Sequence, residues 1–183
     1  MAFPAFLDTC VLYPINLTDV LLRLPDYDRS YRPLWSAGVI EELERNLTAK
    51  TSMTPARVAK RVGAMRRHFP DAMVTGYDAL IPQMNCHEKD RHVLAAAVVG
   101  NAEVIVTFNL KDFPAAALEP YDISVVHPDA FLLDQLDLYP EATLTAVVEA
   151  VGDRNNPPET IHDFLKKLGK LTPDFVTEIK YLV

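Results

Sequence analysis

Asp90-Arg-His-Val-Leu-Ala-Ala-Ala97 followed by Val104-Ile-Val-Thr107 is the stretch on which the fold turns. Asn85-Cys-His-Glu88 ahead of it has the form of a capping box, with a cap residue and an acid three positions on. That spacing predicts a helix running to Gly100, with Asp90 about one turn in. Val93, Leu94 and Ala97 stand at i+3, i+4 and i+7 from Asp90, so its carboxylate shares their apolar face. A carboxylate there is costly unless it is paired or bound to a cation. Val104-Ile-Val106 is continuously apolar, as in a strand covered on both faces, and such strands belong to parallel sheets.

Outward from this unit the pattern repeats. Ala5-Phe-Leu7 reads as a short buried strand ending at Asp8-Thr9-Cys10. Leu17–Leu24 reads as a short helix stopped by Pro25, and 26–32 as a polar loop. Ser36 caps a helix carrying Val39, Ile40, Leu43 and Leu47 at helical spacing. Thr54-Pro55 opens another, with Val58, Val62, Met65 and Phe69 on one side and Pro70 at its end. Ala72-Met-Val74 and Ile123-Ser-Val-Val126 are further strand candidates. Strands alternating with helices predict an α/β fold with a mainly parallel sheet. From Pro128 the chain reads as helical, giving a core unit over 1–127 and a helical extension over 128–183.

Composition narrows the function. The 183 residues carry a net charge of −7, which alone argues against a nucleic-acid binder. The charge is uneven, however. No acid falls between Arg45 and Phe69, whereas Lys50, Arg57, Lys60, Arg61, Arg66 and Arg67 all do, so one basic helix sits on an acidic protein. No apolar run is long enough to span a membrane, and the start lacks the features of a signal peptide, so a cytoplasmic location is expected. Cys10 and Cys86 make no disulfide framework and are expected to be reduced thiols.

In an open parallel sheet, ligands sit beyond the carboxyl ends of the strands. Asp8 and Asp112 follow two such ends, and Asp90 sits on its apolar face. Glu41, Glu42 and Glu44 crowd the helix after Ser36. Glu42 and Glu44 flank its apolar stripe, and periodicity does not choose between them. Carboxylates from separate elements make a set of hard oxygen donors, suited to magnesium or manganese. The matched His and Cys pairs of a zinc site are absent, as are phosphate-binding glycine loops and the serine-hydrolase elbow.

Phe6-Leu-Asp-Thr-Cys-Val-Leu-Tyr13 resembles the opening motif of PIN domains. Trp35-Ser-Ala-Gly-Val-Ile-Glu-Glu-Leu-Glu-Arg-Asn-Leu47 resembles their Glu-bearing helix, and matching the Glu-Leu pair selects Glu42. Asp90–Ala97 is similar to the third motif. Val104-Ile-Val-Thr-Phe-Asn-Leu-Lys-Asp-Phe-Pro114 is similar to the fourth, with Thr107, Asn109 and Asp112 at its polar positions. The resemblance covers roughly residues 3–127. The tail, with Asp134-Gln-Leu-Asp-Leu-Tyr-Pro140, resembles the helical extension of a subset of VapC-type toxins. Cys10 departs from the pattern, standing where many members carry Ser or Asn.

The resemblance implies a PIN-like three-layer fold, a mainly parallel sheet flanked by helices. It also implies a ribonuclease in which Asp8, Glu42, Asp90 and Asp112 hold Mg2+ or Mn2+, with Thr107 and Asn109 supporting them. Cleavage would leave a 5′-phosphate and a 3′-hydroxyl. The implied partners are an RNA substrate and a small antitoxin protein, and a homodimer stays open. Arg57, Lys60, Arg61, Arg66 and Arg67 are the candidate phosphate contacts. Three other readings stand beside this one: a PIN-like module that binds RNA or protein without cutting, a nuclease without an antitoxin, and a DNA flap nuclease. A haloacid-dehalogenase phosphatase needs a second Asp two positions after the first, where this chain has Cys10.

Overall fold

The computed structural model describes residues 2–28, 30–155 and 157–183; Met1, at the start, and Arg29, within the expected loop, lie outside the described residues, as does Asn156. Five strands form one all-parallel sheet: β1 (Phe3–Leu7), β2 (Tyr31–Ser36), β3 (Met73–Val74), β4 (Val104–Val106) and β5 (Ser124–Val126). Their order is β3-β2-β1-β4-β5. The chain therefore works outward from β1 in one direction and returns to its other side at β4. The carboxyl ends of β1 and β4 flank this reversal, the place where open α/β sheets bind ligands.

The helices around the sheet are α1 (Thr9–Leu12), α2 (Ile15–Asp28), α3 (Ala37–Lys50), α4 (Pro55–His68), α5 (Arg91–Val99) and α6 (Ala115–Leu118). Local chemistry sets several boundaries. Ser36 Oγ accepts from Val39 N–H at 3.3 Å and starts α3, whose Val39, Ile40, Leu43 and Leu47 are all buried. Thr54 caps α4, with Pro55 in its first turn and Val58, Val62 and Met65 buried.

Three expectations need correction. Pro25 does not end its helix, because α2 continues through it to Asp28. A proline has no N–H for the carbonyl four residues back, here Leu21. The buried Tyr31 hydroxyl donates to that carbonyl instead, so the break costs no unsatisfied acceptor. Burial pushes the Tyr31 phenol up, in keeping with its role as donor. Second, the expected loop conceals the start of β2, an interior strand. Pro33 sits within it, and β3 pairs only with Trp35 and Ser36, so the flank beside Pro33 is open on that side. Third, Asp90 does not lie inside α5. A 3-10 turn over Glu88–Asp90 precedes the helix, and Asp90 occupies its cap position. Asp90 N–H bonds back to His87 O at 2.9 Å in this turn, and His87 N–H donates to Asp112 O at 3.0 Å, which ties the turn to the segment after β4.

Residues 128–183 form α7 (Pro128–Leu138), α8 (Pro140–Gly152), α9 (Ile161–Leu168) and α10 (Pro173–Ile179). These helices share the core of the sheet. Phe131 makes edge contacts with Phe3 and Tyr31, and Ala146, Val147, Phe164 and Phe175 are fully buried. Arg23 of α2 pairs with Glu149 and Asp153, and Arg154 reaches Asp19 at 3.2 Å. Asp129, itself buried, accepts from Asp174 N–H at 3.1 Å and Phe175 N–H at 2.8 Å, so α7 caps the start of α10. None of the described helices is long and apolar enough to cross a membrane.

Candidate active site

Asp8 lies at the end of β1 and is only 4% exposed. Its Oδ1 accepts from Thr9 N–H at 2.6 Å, and its Oδ2 accepts from the Thr107 hydroxyl at 2.7 Å. The thiol of Cys10 adds a third contact to the carboxylate, again at Oδ2, at 3.2 Å. Cys10, despite its departure from the Ser or Asn of the resemblance, thus supplies a polar contact to Asp8, and its sulfur also accepts from Phe108 N–H at 3.3 Å. Burial and the neighbouring Asp8 charge push this thiol up to about 12, so it stays protonated and donates. Asp8 itself is raised by burial, against the lowering effect of these hydrogen bonds and with a further push from Glu42.

Glu42 and Glu41 separate clearly. The Thr9 hydroxyl, from α1, reaches Glu42 Oε2 at 3.1 Å, whereas Glu41 is exposed on the outer side of α3. Thr107 links the two strand ends: it donates to Asp8 and accepts from Asn109 N–H at 3.1 Å. Asn109 contributes through its backbone, and its side chain is exposed.

Asp90 and Asp112 form the other half of the site. The Asp90 side chain is 15% exposed and has no arginine partner among the described residues; its one ionic neighbour is His87, at 3.4 Å from Nδ1 to Oδ2. His87, Asp90 and Asp112 each offer a donor atom within 4.8 Å of the others. Burial raises Asp90 to about 6, and the charges of Asp8, Asp112 and Glu42 add to the shift while His87 opposes it. The three other acids therefore bear on this one carboxyl. A like-charge cluster of this kind is unfavourable alone and is relieved by a cation. The oxygen-rich donor set fits a hard divalent ion, with Asp90 and Asp112 within ligand reach of each other and Asp8 and Glu42 facing them electrostatically.

Residues 128–180 match the family model of the VapC50 C-terminal domain. Over 111 residues the chain is 54% identical to a Mycobacterium tuberculosis (strain ATCC 25618 / H37Rv) protein named "Putative ribonuclease VapC50". The chain is thus similar to a VapC-named ribonuclease over much of its length and to the VapC50 C-terminal domain over its tail. The alignment covers 61% of this chain and 66% of that relative, just under two thirds of its length.

The basic helix α4 divides. Arg57, Lys60, Arg66 and Arg67 are exposed. Arg61 is not displayed with them: its guanidinium donates to Leu12 O at 2.6 Å, Tyr13 O at 3.3 Å and the Thr18 hydroxyl at 3.2 Å. Burial lowers its pKa, and the side chain serves as a strut between α4 and the segment that follows Asp8. Two contributors are not evident from sequence reasoning. Thr9 orients Glu42, and the Asp-Thr pair at a strand end is the available signal. His87 joins Asp90 and Asp112; its i, i+3 spacing to Asp90 is visible, but the capping-box pattern of Asn85–Glu88 competes with it.

Proposed function

We propose that this protein is a divalent-cation-dependent endoribonuclease that acts in the cytoplasm as the toxin of a toxin–antitoxin pair. The observation that carries the reading is the gathering of Asp8, Glu42, Asp90 and Asp112 at the reversal point of the sheet, with Asp90 held above the usual carboxylate range by burial and by the other three. The kinship with a VapC-named relative supports the substrate class and the small antitoxin partner. The cation in this reading is Mg2+ or Mn2+, held by Asp90 and Asp112 with Asp8 and Glu42 completing the acidic wall.

When bound, such a cation supplies Lewis acidity at the phosphate and lowers the pKa of water. The chain's own residues do the rest. Thr107 and Cys10 fix the Asp8 carboxylate through hydrogen bonds to Oδ2, and Thr9 aims Glu42. Fixed dipoles of this kind need no reorganisation as charge develops on the phosphate. Asp90 keeps a proton up to about pH 6 when no cation is present, so the free site carries less than its formal charge in mild acid. The exposed Arg57, Lys60, Arg66 and Arg67, with Lys89 and Lys111 beside the acids in sequence, are the cations available to flanking phosphates. In this reading residues 1–127 are the nuclease unit, and 128–183 a helical extension that braces α2.

Induced expression in a bacterial host tests the toxin reading. Wild-type protein should arrest growth and deplete RNA, Asp90→Asn should do neither, and co-expression of the small protein encoded beside it should restore growth. Equal arrest by wild type and Asp90→Asn, at equal protein levels, would contradict it.

A further inference from the structure

We propose that His87 is a protein ligand of the divalent-cation site, so that the cation is taken by two carboxylates and an imidazole and manganese is favoured over magnesium. This rests on reading the acids as a cation site. The geometry points to it in three ways. First, His87, Asp90 and Asp112 place one donor atom each within 4.8 Å of the others. Donors about 2.1 Å from a shared ion stand about 3 to 4 Å apart, so modest side-chain rotation closes the set. Second, the three residues are joined by their backbones. His87 N–H donates to Asp112 O at 3.0 Å, and Asp90 N–H donates to His87 O at 2.9 Å. The approach of the ring to both carboxylates is therefore built into the main chain and does not depend on a chance rotamer. Third, the His87 side chain is half exposed, so its ring can turn toward the acids with no packing to break.

Two of the other histidines are committed elsewhere. His68 pairs with Asp26, and His127 stacks on Phe108 while its Nδ1 accepts from Asp129 N–H. The Nδ1 of His92 is buried against Gly38 without a hydrogen-bond partner and is absent from the group formed by His87, Asp90 and Asp112, and His162 lies on α9 in the tail. Imidazole suits first-row transition ions, of which manganese is the weakest binder and the one that also takes carboxylates. Magnesium prefers oxygen and gives up its water reluctantly. A site with a nitrogen among its ligands thus discriminates between two ions that an all-carboxylate site treats more alike. The competing account is that His87 merely pairs with Asp90 across a tight turn, and it places no nitrogen on the metal.

The test uses the full chain, stripped with a chelator and titrated with Mn2+ alone. Pulsed electron paramagnetic resonance should show modulation from a directly bound 14N. His87→Ala and His87→Asn should both abolish it, since neither alters the backbone bonds that shape the turn. Both variants should weaken Mn2+ binding about tenfold or more, and Mg2+ binding, read by competition, by much less. Tight Mn2+ binding without 14N modulation would overturn the imidazole ligand and leave the carboxylate site standing. Modulation that persists in both variants would also overturn it. No Mn2+ binding by wild type would overturn this inference together with the cation site itself.

Discussion

Replacing Asp90 by Asn should stabilise the metal-free protein while destroying its response to metal. Asp90 is raised from 3.8 to about 6. An acid whose pKa rises on folding binds protons more tightly in the native state, so stability falls as pH climbs through that interval. Each pKa unit corresponds to about 1.4 kcal/mol, which sets an upper limit of about 3 kcal/mol. The carboxyl is partly open to solvent, and screening brings the realistic figure to about 1–2 kcal/mol. The penalty is absent below about pH 4, grows between 4 and 6, and is complete above pH 7. Asparagine keeps the shape and removes the charge, and the carboxylate gives up only its pairing with His87. Urea denaturation with chelator present should therefore show the variant more stable than wild type at pH 8, with the gap closing toward pH 4. Added Mg2+ or Mn2+ should stabilise wild type by mass action and leave the variant almost unmoved. A variant less stable than wild type at pH 8 without metal would refute the reasoning, because it would mean that the charge is compensated within the fold.

Four further experiments probe other interactions of the fold and the site. Arg61→Ala should cost about 1–3 kcal/mol in thermal or urea unfolding, since it strips the donor from Leu12 and Tyr13 carbonyls. Arg57→Glu with Lys60→Glu should leave stability nearly unchanged but weaken RNA binding, and the salt slope should fall by about 0.7 for every phosphate that is no longer neutralised. Glu42→Gln should reduce cleavage far more than Glu41→Gln, compared by initial rates at saturating metal. Asp129→Ala should cost about 1 kcal/mol and speed amide exchange at the start of α10, whose Asp174 and Phe175 N–H groups it caps.

What was legible in the sequence was what short-range chemistry decides. Ser36 and Thr54 announce α3 and α4 because a cap bonds within three residues, and Val104–Val106 announces a covered strand because nothing polar interrupts it. What was hidden depends on distant partners. The Leu21 carbonyl that Pro25 cannot serve is taken by the Tyr31 hydroxyl, and no local rule reveals that. Asp90 stands before its helix in a 3-10 turn that is tied to the segment after β4 by the bond from His87 N–H to Asp112 O, a long-range contact that local spacing does not show. In the site, Asp8, Asp90 and Asp112 could be picked out by their strand ends and apolar face. The choice of Glu42 over Glu41 needed either the family resemblance or the Thr9 hydroxyl from another element. The basic run was visible as charge, but the commitment of Arg61 to two carbonyls was not, because charge patterning says nothing about which carbonyls lie opposite.

Cleavage of a defined, end-labelled RNA by chelator-stripped protein tests the central claim most directly. The account predicts no cutting until Mg2+ or Mn2+ is added, then internal cuts leaving 5′-phosphate and 3′-hydroxyl ends, with Asp8→Asn and Asp90→Asn inactive though folded. Cleavage that proceeds unchanged in chelator, or that survives both substitutions at the wild-type rate, would contradict it.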